Sequence, residues 1–313
     1  MAHAIVYTEL GGPEVLTLTE IPDPAPGDGE VSIRIEAAGV NPIDAKLRAG
    51  IRPSPPITTP RRMGSDGAGV VTAVGADVDG FRVGDHVAFS GPVGSYATDV
   101  AVEASAVFVR PPGVTAAQGA SLGIPVGTAY QVLRSLDVRE GDTLLIHGGS
   151  GAVGQAAIQF AVLWGARVLA TTSDARADRV RALGAEPLPY GDGLVERVRA
   201  AAPDGVTVIL DAAGTDEAIA ASLALLEDRS RIATIVRGKD APTWGIRAFS
   251  GGSAVPLTPQ QQGWRTEAIP VALALMAVGR FDVELGESFP LADAAEAHRA
   301  IENGAGGKLV LVP

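Results

Sequence analysis

Three glycines carry the first sign of chemistry in this chain. Gly149, Gly151 and Gly154 break an apolar run within D-T-L-L-I-H-G-G-S-G-A-V-G, residues 142–154. Their spacing, G-x-G-x-x-G, is the dinucleotide fingerprint. Residues 144–146 read as a buried strand and residues 155–164, Q-A-A-I-Q-F-A-V-L-W, as a helix, so the glycines fall on a strand-to-helix turn, the context the motif requires. Without Cβ atoms the backbone turns sharply and approaches a pyrophosphate closely, and the phosphate charge meets the free N–H groups and positive dipole end of the helix. The pattern by itself also describes a glycine-rich turn with no ligand. The strand before it, the helix after it and a second strand beyond favour the nucleotide.

Other catalytic groups are scarce. The chain of 313 residues has no cysteine, which excludes disulfides, thiolate catalysis and thiolate-bound metal. Its four histidines are His3, His86, His147 and His298, and no His-x-x-x-His or mixed histidine and carboxylate spacing joins them into a ligand set. His147 is expected to pack at a strand end and His298 to lie on an exposed helix face. A net charge of −11, with only Arg61 and Arg62 as an isolated basic pair, makes nucleic acid and anionic membrane poor partners. The longest candidate apolar segment, residues 268–278, is too short to span a bilayer, and residues 1–10 lack a charged-then-apolar secretory pattern. The expected address is the cytoplasm.

The elements that must position these residues change character near residue 115. Before it, Val31, Ile33 and Ile35 alternate with Ser32, Arg34 and Glu36, and short β runs follow at 69–74, 86–89 and 97–102. Beyond it, Thr115 and Gln118 form a plausible capping box, and a helix at 126–135 leads into the fingerprint strand. Strands at 167–172, 206–210 and 231–236 then alternate with helices at 174–183, 194–201 and 216–226, which implies a doubly wound parallel sheet, an α/β fold. The C-terminal part holds helices at 265–278 and 292–302 and a last strand at 308–312. That strand must pair somewhere. Partners in the N-terminal β region would make the first domain discontinuous and place a ligand cleft beside the nucleotide domain.

Several segments appear together and in order: G-V-N-P-I-D (39–44), G-S-D-G-A-G-V-V (64–71), V-G-D-H-V (83–87), G-S-Y-A (94–97), H-G-G-S-G-A-V-G (147–154), L-G-A (183–185) and F-P-L-A-D-A-A-E-A-H-R-A (289–300), followed by G-K-L-V-L-V-P. Over nearly its whole length the chain resembles the medium-chain dehydrogenase/reductase superfamily, specifically its zinc-free quinone oxidoreductase branch. The resemblance implies a GroES-like catalytic domain of residues 1–116 and 257–313, into which a Rossmann domain of residues 117–256 is inserted. Where zinc-dependent members carry catalytic ligands, Asn41 stands at the cysteine position and Ser65 and Asp66 replace the His-Glu pair. The cysteine-rich structural zinc lobe is missing as well, since Phe89-Ser90-Gly91 runs almost directly into Gly94-Ser95-Tyr96. No metal is expected, and ordinary alcohol dehydrogenation loses its usual alkoxide stabiliser.

Coenzyme choice is argued from the end of the second nucleotide-domain strand. An NAD site offers a carboxylate about twenty residues beyond the fingerprint, and here Thr172 and Ser173 stand before Asp174. Arg176 falls where the family often has a basic residue and Tyr190 where relatives place a phosphate-facing tyrosine, so both could donate to a 2′-phosphate and NADPH is preferred. Alternatively, Arg176 is a solvated helix charge and Asp174 turns inward to select NADH. The resemblance further implies cofactor contacts from Gly148, Gly149, Ser150, Gly151, Ala152, Val153 and Gly154, from Ala212 and Ala213, and from Asn41 and Thr128 near the nicotinamide. Gly251 and Gly252 follow in a nearby loop, and Lys308 reaches in from the last strand. Asn41 instead could hold a turn before Pro42, and Thr128 could cap the helix that carries Tyr130. Tyr96 and Tyr130 are candidate proton donors, though a buried tyrosine is more often a packing residue, and solvent is a further proton source. The cleft lining is expected to include Ile43, Leu47, Met63, Tyr96 and Phe249.

Without metal or thiol, the nicotinamide carries the chemistry, and its hydride goes to an acceptor whose charge is already delocalised, such as a quinone or an α,β-unsaturated carbonyl. The alternatives are an enoyl-thioester reductase acting on carrier-bound chains, against which the acidic surface argues mildly, and a non-catalytic protein that keeps nucleotide affinity. Relatives are often homodimers joined at a Rossmann edge strand. The apolar stretch at 246–257 serves that role here or else forms an active-site loop.

Overall fold

The alternation of Val31, Ile33 and Ile35 with Arg34 sorts a ten-residue strand, Glu30–Gly39, with its aliphatics buried and Arg34 exposed. Ser32, read as outward, is buried too, because its hydroxyl donates to the Pro24 carbonyl at 2.7 Å. This strand is the hub of a seven-stranded sheet in a computed structural model that describes residues 1–91, 94–249 and 253–313. Across the sheet the order is Leu285–Pro290, Lys308–Val312, Glu30–Gly39, Asp66–Val74, His86–Ser90 and Val107–Val109, and Asp99–Glu103 pairs with the hub as well. A smaller sheet joins Thr17–Ile21, Ala2–Tyr7 and Arg61–Arg62.

The last strand does pair with the N-terminal β region: it runs antiparallel to the hub, with Val310 opposite Gly39 and Leu311 opposite Ala38. One compact unit is therefore assembled from both ends of the chain, Met1–Ile124 and Ile269–Pro313, and the other is Pro125–Ala268.

The second unit is built on a six-stranded parallel sheet in the order Glu186–Pro189, Arg167–Thr172, Thr143–His147, Val208–Asp211, Ile232–Thr234 and Arg247–Ala248. Leu169, Leu145, Ile209 and Ile232 stand in register across four of these strands, and each is fully buried. Burying one such side chain stabilises the fold by about 1.5–3 kcal/mol. The row thus holds the strand ends where the nucleotide turn begins.

Some expected boundaries shift, each for a local reason. The expected helix at 174–183 opens as a 3₁₀ turn, Asp174–Arg176, with Arg176 N–H on the Ser173 carbonyl at 3.0 Å, and becomes α-helical only over Ala177–Ala182. The helix expected at 265–278 begins earlier and spans Pro259–Ala277. Thr258 and Gln261 exchange backbone-to-side-chain hydrogen bonds at 2.9 and 3.2 Å, a capping box just before Pro259 in the first turn. The capping box expected at Thr115 and Gln118 forms, with bonds of 2.9 and 3.2 Å. Among the described residues no helix is long and apolar enough to cross a membrane.

Candidate functional site

The fingerprint strand is Thr143–His147 and the following helix is Ala152–Leu163, so Gly148 to Gly151 form the turn between them. Gly149 and Gly154 are demanded by the chain's own packing. A Cβ on Gly149 would lie 2.5 Å from Ala170 Cβ, and one on Gly154 would lie 2.3 Å from the Gly148 carbonyl oxygen. Gly151 is different. Its φ of −73° suits any residue, and a Cβ there would meet nothing nearer than the Gly148 oxygen at 3.6 Å. Among the described residues nothing requires a glycine at that position, whereas a pyrophosphate approaching the backbone would. Ala152 and Val153 open the helix, where geometry leaves N–H groups without intrahelical acceptors. The residues present therefore fit a dinucleotide pyrophosphate.

Neighbouring strand ends complete the cradle. Thr171 fixes the turn by accepting from Gly148 N–H on its hydroxyl at 3.1 Å and from Gly149 N–H on its carbonyl at 2.9 Å. Asp211 shapes the next loop by accepting from Ala213 N–H at 3.1 Å, Gly214 N–H at 2.7 Å and the Thr234 hydroxyl at 2.6 Å. Ala212 N–H bonds to the His147 carbonyl at 3.0 Å, which sets Ala212 and Ala213 beside Gly148. His147 ends its strand buried, and burial lowers its pKa from 6.5 to about 4, so the imidazole is neutral despite Asp211. The Thr172 hydroxyl is buried and has no hydrogen-bond partner among the described residues. Thr172 pairs with Pro189, so Ser173 and Tyr190 leave adjacent strand ends together, and Tyr190 is 61% exposed. Arg176 Nη2 lies 3.4 Å from the Ser150 carbonyl, turned toward the glycine turn.

In the first unit, register builds a second polar centre. Gly39 stands opposite both Asp66 and Val310, and continuing the antiparallel pairing by two residues brings Lys308 opposite Asn41. Asn41 Nδ2 donates to Asp66 Oδ2 at 2.9 Å, and Asn41 Oδ1 accepts from Lys308 Nζ, which also donates to the Val40 carbonyl at 2.8 Å. Asp66 further accepts from the Ser90 hydroxyl and from Ile124 N–H, both at 2.9 Å. The carboxylate on one side and the ammonium on the other fix the amide's orientation.

Behind this centre lies a line of buried titratable groups. Asp44 closes the first turn of the helix Pro42–Arg48 by accepting from Asn41 N–H at 3.0 Å, and its Oδ2 also accepts from the Tyr96 hydroxyl at 3.1 Å. The Tyr96 oxygen lies 3.3 Å from His298 Nε2. Burial, then the Asp66 carboxylate, push the Asp44 carboxyl from 3.8 up to about 7, while Lys308, Asn41 N–H and Tyr96 pull the other way. Burial raises the Tyr96 hydroxyl and lowers the Lys308 ammonium, the latter against the pull of Asp66 and Asp44. In this dry site, burial beside a second carboxylate leaves the Asp44 carboxyl partly protonated near neutral pH.

Several expectations need correction or relocation. His298 is not on an exposed face: the helix Ala294–Glu302 turns Ala294, Ala297 and His298 inward, and burial, then Arg48, lower the imidazole to about 4. Thr128 does not cap its helix, which starts five residues earlier at Gly123, with Ile124 N–H directed to Asp66; it sits buried inside Gly123–Ser135. Asn41 does precede a helix, and its side chain also joins Asp66 to Lys308. Tyr130 donates to Glu267 at 2.9 Å and packs edge-on against Phe160 and Trp164 in the second unit, whereas Tyr96 belongs to the first. Met63 and Phe249 are buried, and Gly251 and Gly252 lie outside the described residues. Asp44 and Arg48 lie outside the expected site residues. Asp44 had a signal, since an acid three residues after an N-cap Asn closes a capping box.

Residues 27–119 match the alcohol dehydrogenase GroES-like domain, and residues 183–311 match the zinc-binding dehydrogenase family. Human quinone oxidoreductase is 30% identical over 336 residues, covering 100% of this chain and 98% of that protein. The crystal structure of Escherichia coli quinone oxidoreductase complexed with NADPH is similar with a TM-score of 0.84 at 26% identity, covering 99% of this chain and 100% of that one. Phthioceranic/hydroxyphthioceranic acid synthase of Mycobacterium tuberculosis contains a segment 34% identical over 310 residues, 91% of this chain and 14% of that protein. The chain belongs to the medium-chain dehydrogenase/reductase superfamily, in its zinc-free quinone oxidoreductase branch. The zinc of the matched family's description does not fit these residues. An amide, a carboxylate already hydrogen-bonded and a lysine ammonium make no tetrahedral donor set, and among the described residues no three His, Cys, Asp or Glu side chains group to share an ion.

Proposed function

We propose that this protein is a zinc-independent oxidoreductase that passes hydride from NADPH to a quinone or to the β-carbon of an α,β-unsaturated carbonyl. The observation that carries the reading is the lysine, rather than a metal ligand set, knit to Asn41 and Asp66 in a chain whose glycine turn fits a dinucleotide. When bound, NADPH supplies the hydride from its nicotinamide. The chain's part is to bind, orient and donate. The helix opening at Ala152 and Val153 holds the pyrophosphate. Ser173, Arg176 and Tyr190 take the 2′-phosphate, while Asn41, Thr128 and Lys308 serve the nicotinamide end. Two of the three Lys308 ammonium hydrogens go to Val40 and Asn41, and we assign the third to the oxygen on which negative charge develops. Asp44, with Tyr96 against it, stores a proton behind that ammonium.

A second reading has one observation in its favour. The similarity to a segment of an acid synthase supports reduction of an enoyl thioester, which needs the same hydride direction. The acidic chain, with its net charge of −11, speaks against docking an acidic carrier. NADPH consumption measured with a panel of quinones, simple enones and a short enoyl-pantetheine thioester separates the readings. Turnover of quinones or enones supports the first, turnover confined to the thioester the second, and tight NADPH binding without turnover a non-catalytic role. We propose further that the protein is a cytoplasmic homodimer, for which light scattering at micromolar concentration should give twice the 31.8 kDa chain mass.

A further inference from the structure

Arg197 lies in the helix Leu194–Ala201, outside every motif that the sequence singled out. Its guanidinium grips the loop that follows the strand Glu186–Pro189. Nε and Nη2 donate to the Pro189 carbonyl at 3.1 and 2.9 Å, Nη2 also donates to Gly191 at 2.8 Å, and Nη1 donates to Asp192 at 2.7 Å. Four of the five guanidinium hydrogens are thus committed to three backbone carbonyls. All the acceptors are neutral backbone carbonyls, and among the described residues no acidic side chain pairs directly with Arg197.

The gripped loop is the one that carries Tyr190. Gly191 and Gly193 turn it with φ of +97° and +79°, and Tyr190 is 61% exposed. Its other anchor is Gly191 N–H on the Glu217 carboxylate at 2.7 Å. Pro189, the residue held twice by Arg197, is the register partner of Thr172. Whatever fixes Pro189 therefore fixes the spacing between Ser173 and Tyr190.

We propose that Arg197 is a positioning and specificity-determining residue for the 2′-phosphate of NADPH: by clamping residues 189–192 it holds Tyr190 beside Ser173. The inference rests on the NADPH reading given above. It differs from a merely structural role in one respect. A structural arginine would affect both coenzymes alike, whereas this one discriminates between them by the phosphate.

Calorimetric titration of the full chain with NADPH, NADH, 2′,5′-ADP and 5′-AMP tests it without recourse to turnover. Arg197→Met should weaken NADPH and 2′,5′-ADP by about tenfold or more, as expected for a lost charge-assisted arrangement, and leave NADH and 5′-AMP within about twofold. Arg197→Lys should recover part of the loss, because it keeps the charge but not the forked grip. Should the methionine variant fail to fold, the lysine variant carries the test, with a severalfold loss confined to the phosphorylated ligands. Equal weakening of all four ligands, or no change in any, would overturn the inference. A wild-type protein with no preference for NADPH over NADH would remove the coenzyme assignment and the inference with it. A wild type that prefers NADPH while Arg197→Met keeps the same preference removes the inference alone.

Discussion

Gly151 and Gly154 are two glycines of one motif with opposite physical reasons for being there. A Cβ at Gly154 collides with a backbone oxygen that cannot swing away, so Gly154→Ala should cost about 1–3 kcal/mol through overpacking, read as a lowered urea midpoint. At Gly151 the added atom meets almost nothing of the described chain, so Gly151→Ala should move the midpoint much less than Gly154→Ala while NADPH affinity falls by about tenfold or more. A Gly151→Ala protein that binds NADPH normally would show that no ligand approaches the backbone there. The glycines were legible because the fingerprint is local in sequence. The Asn41, Asp66 and Lys308 centre was legible only through resemblance, since it depends on strand register between segments 267 positions apart, which no local spacing encodes.

At the scale of elements, the helix Ala294–Glu302 shows what a polar-looking segment hides. His298 shares a face with Ala294 and Ala297, and the small neighbours allow the ring to enter the core, edge-on to Tyr96 with centroids 5.8 Å apart. Both His298 and His147 are held near 4 in the fold against 6.5 unfolded, so as pH falls from about 6.5 to 4 the unfolded chain takes up protons first and stability drops. Asp44 acts with the opposite sign, because its folded value near 7 exceeds 3.8, and its contribution falls as pH rises between those values. His298→Gln should therefore flatten the loss of stability on the acid side, measured as urea midpoints between about pH 4 and 6.5. An unchanged slope would contradict the neutral buried imidazole. The capping box at Thr258 and Gln261 is hard to see in the sequence because the intervening proline and glutamines look like loop. Thr258→Ala should cost about 1 kcal/mol in the same denaturation.

For the molecule as a whole, the alternation of strands and helices predicted the parallel sheet, and the demand that residues 308–312 pair somewhere anticipated a unit built from both chain ends. What composition did not reveal is that the net charge of −11 coexists with two local centres of positive potential, the opening of the helix Ala152–Leu163 and the buried Lys308. Binding to the folded state alone must stabilise it: NADPH at one hundred times its dissociation constant should raise the unfolding free energy by about 2.7 kcal/mol. The most direct measurement is NADPH oxidation with a quinone acceptor, followed by its absorbance before and after exhaustive treatment with a strong chelator. Turnover that the chelator leaves unchanged and that added zinc does not raise is the expected result. Activity abolished by the chelator and restored by zinc would contradict it.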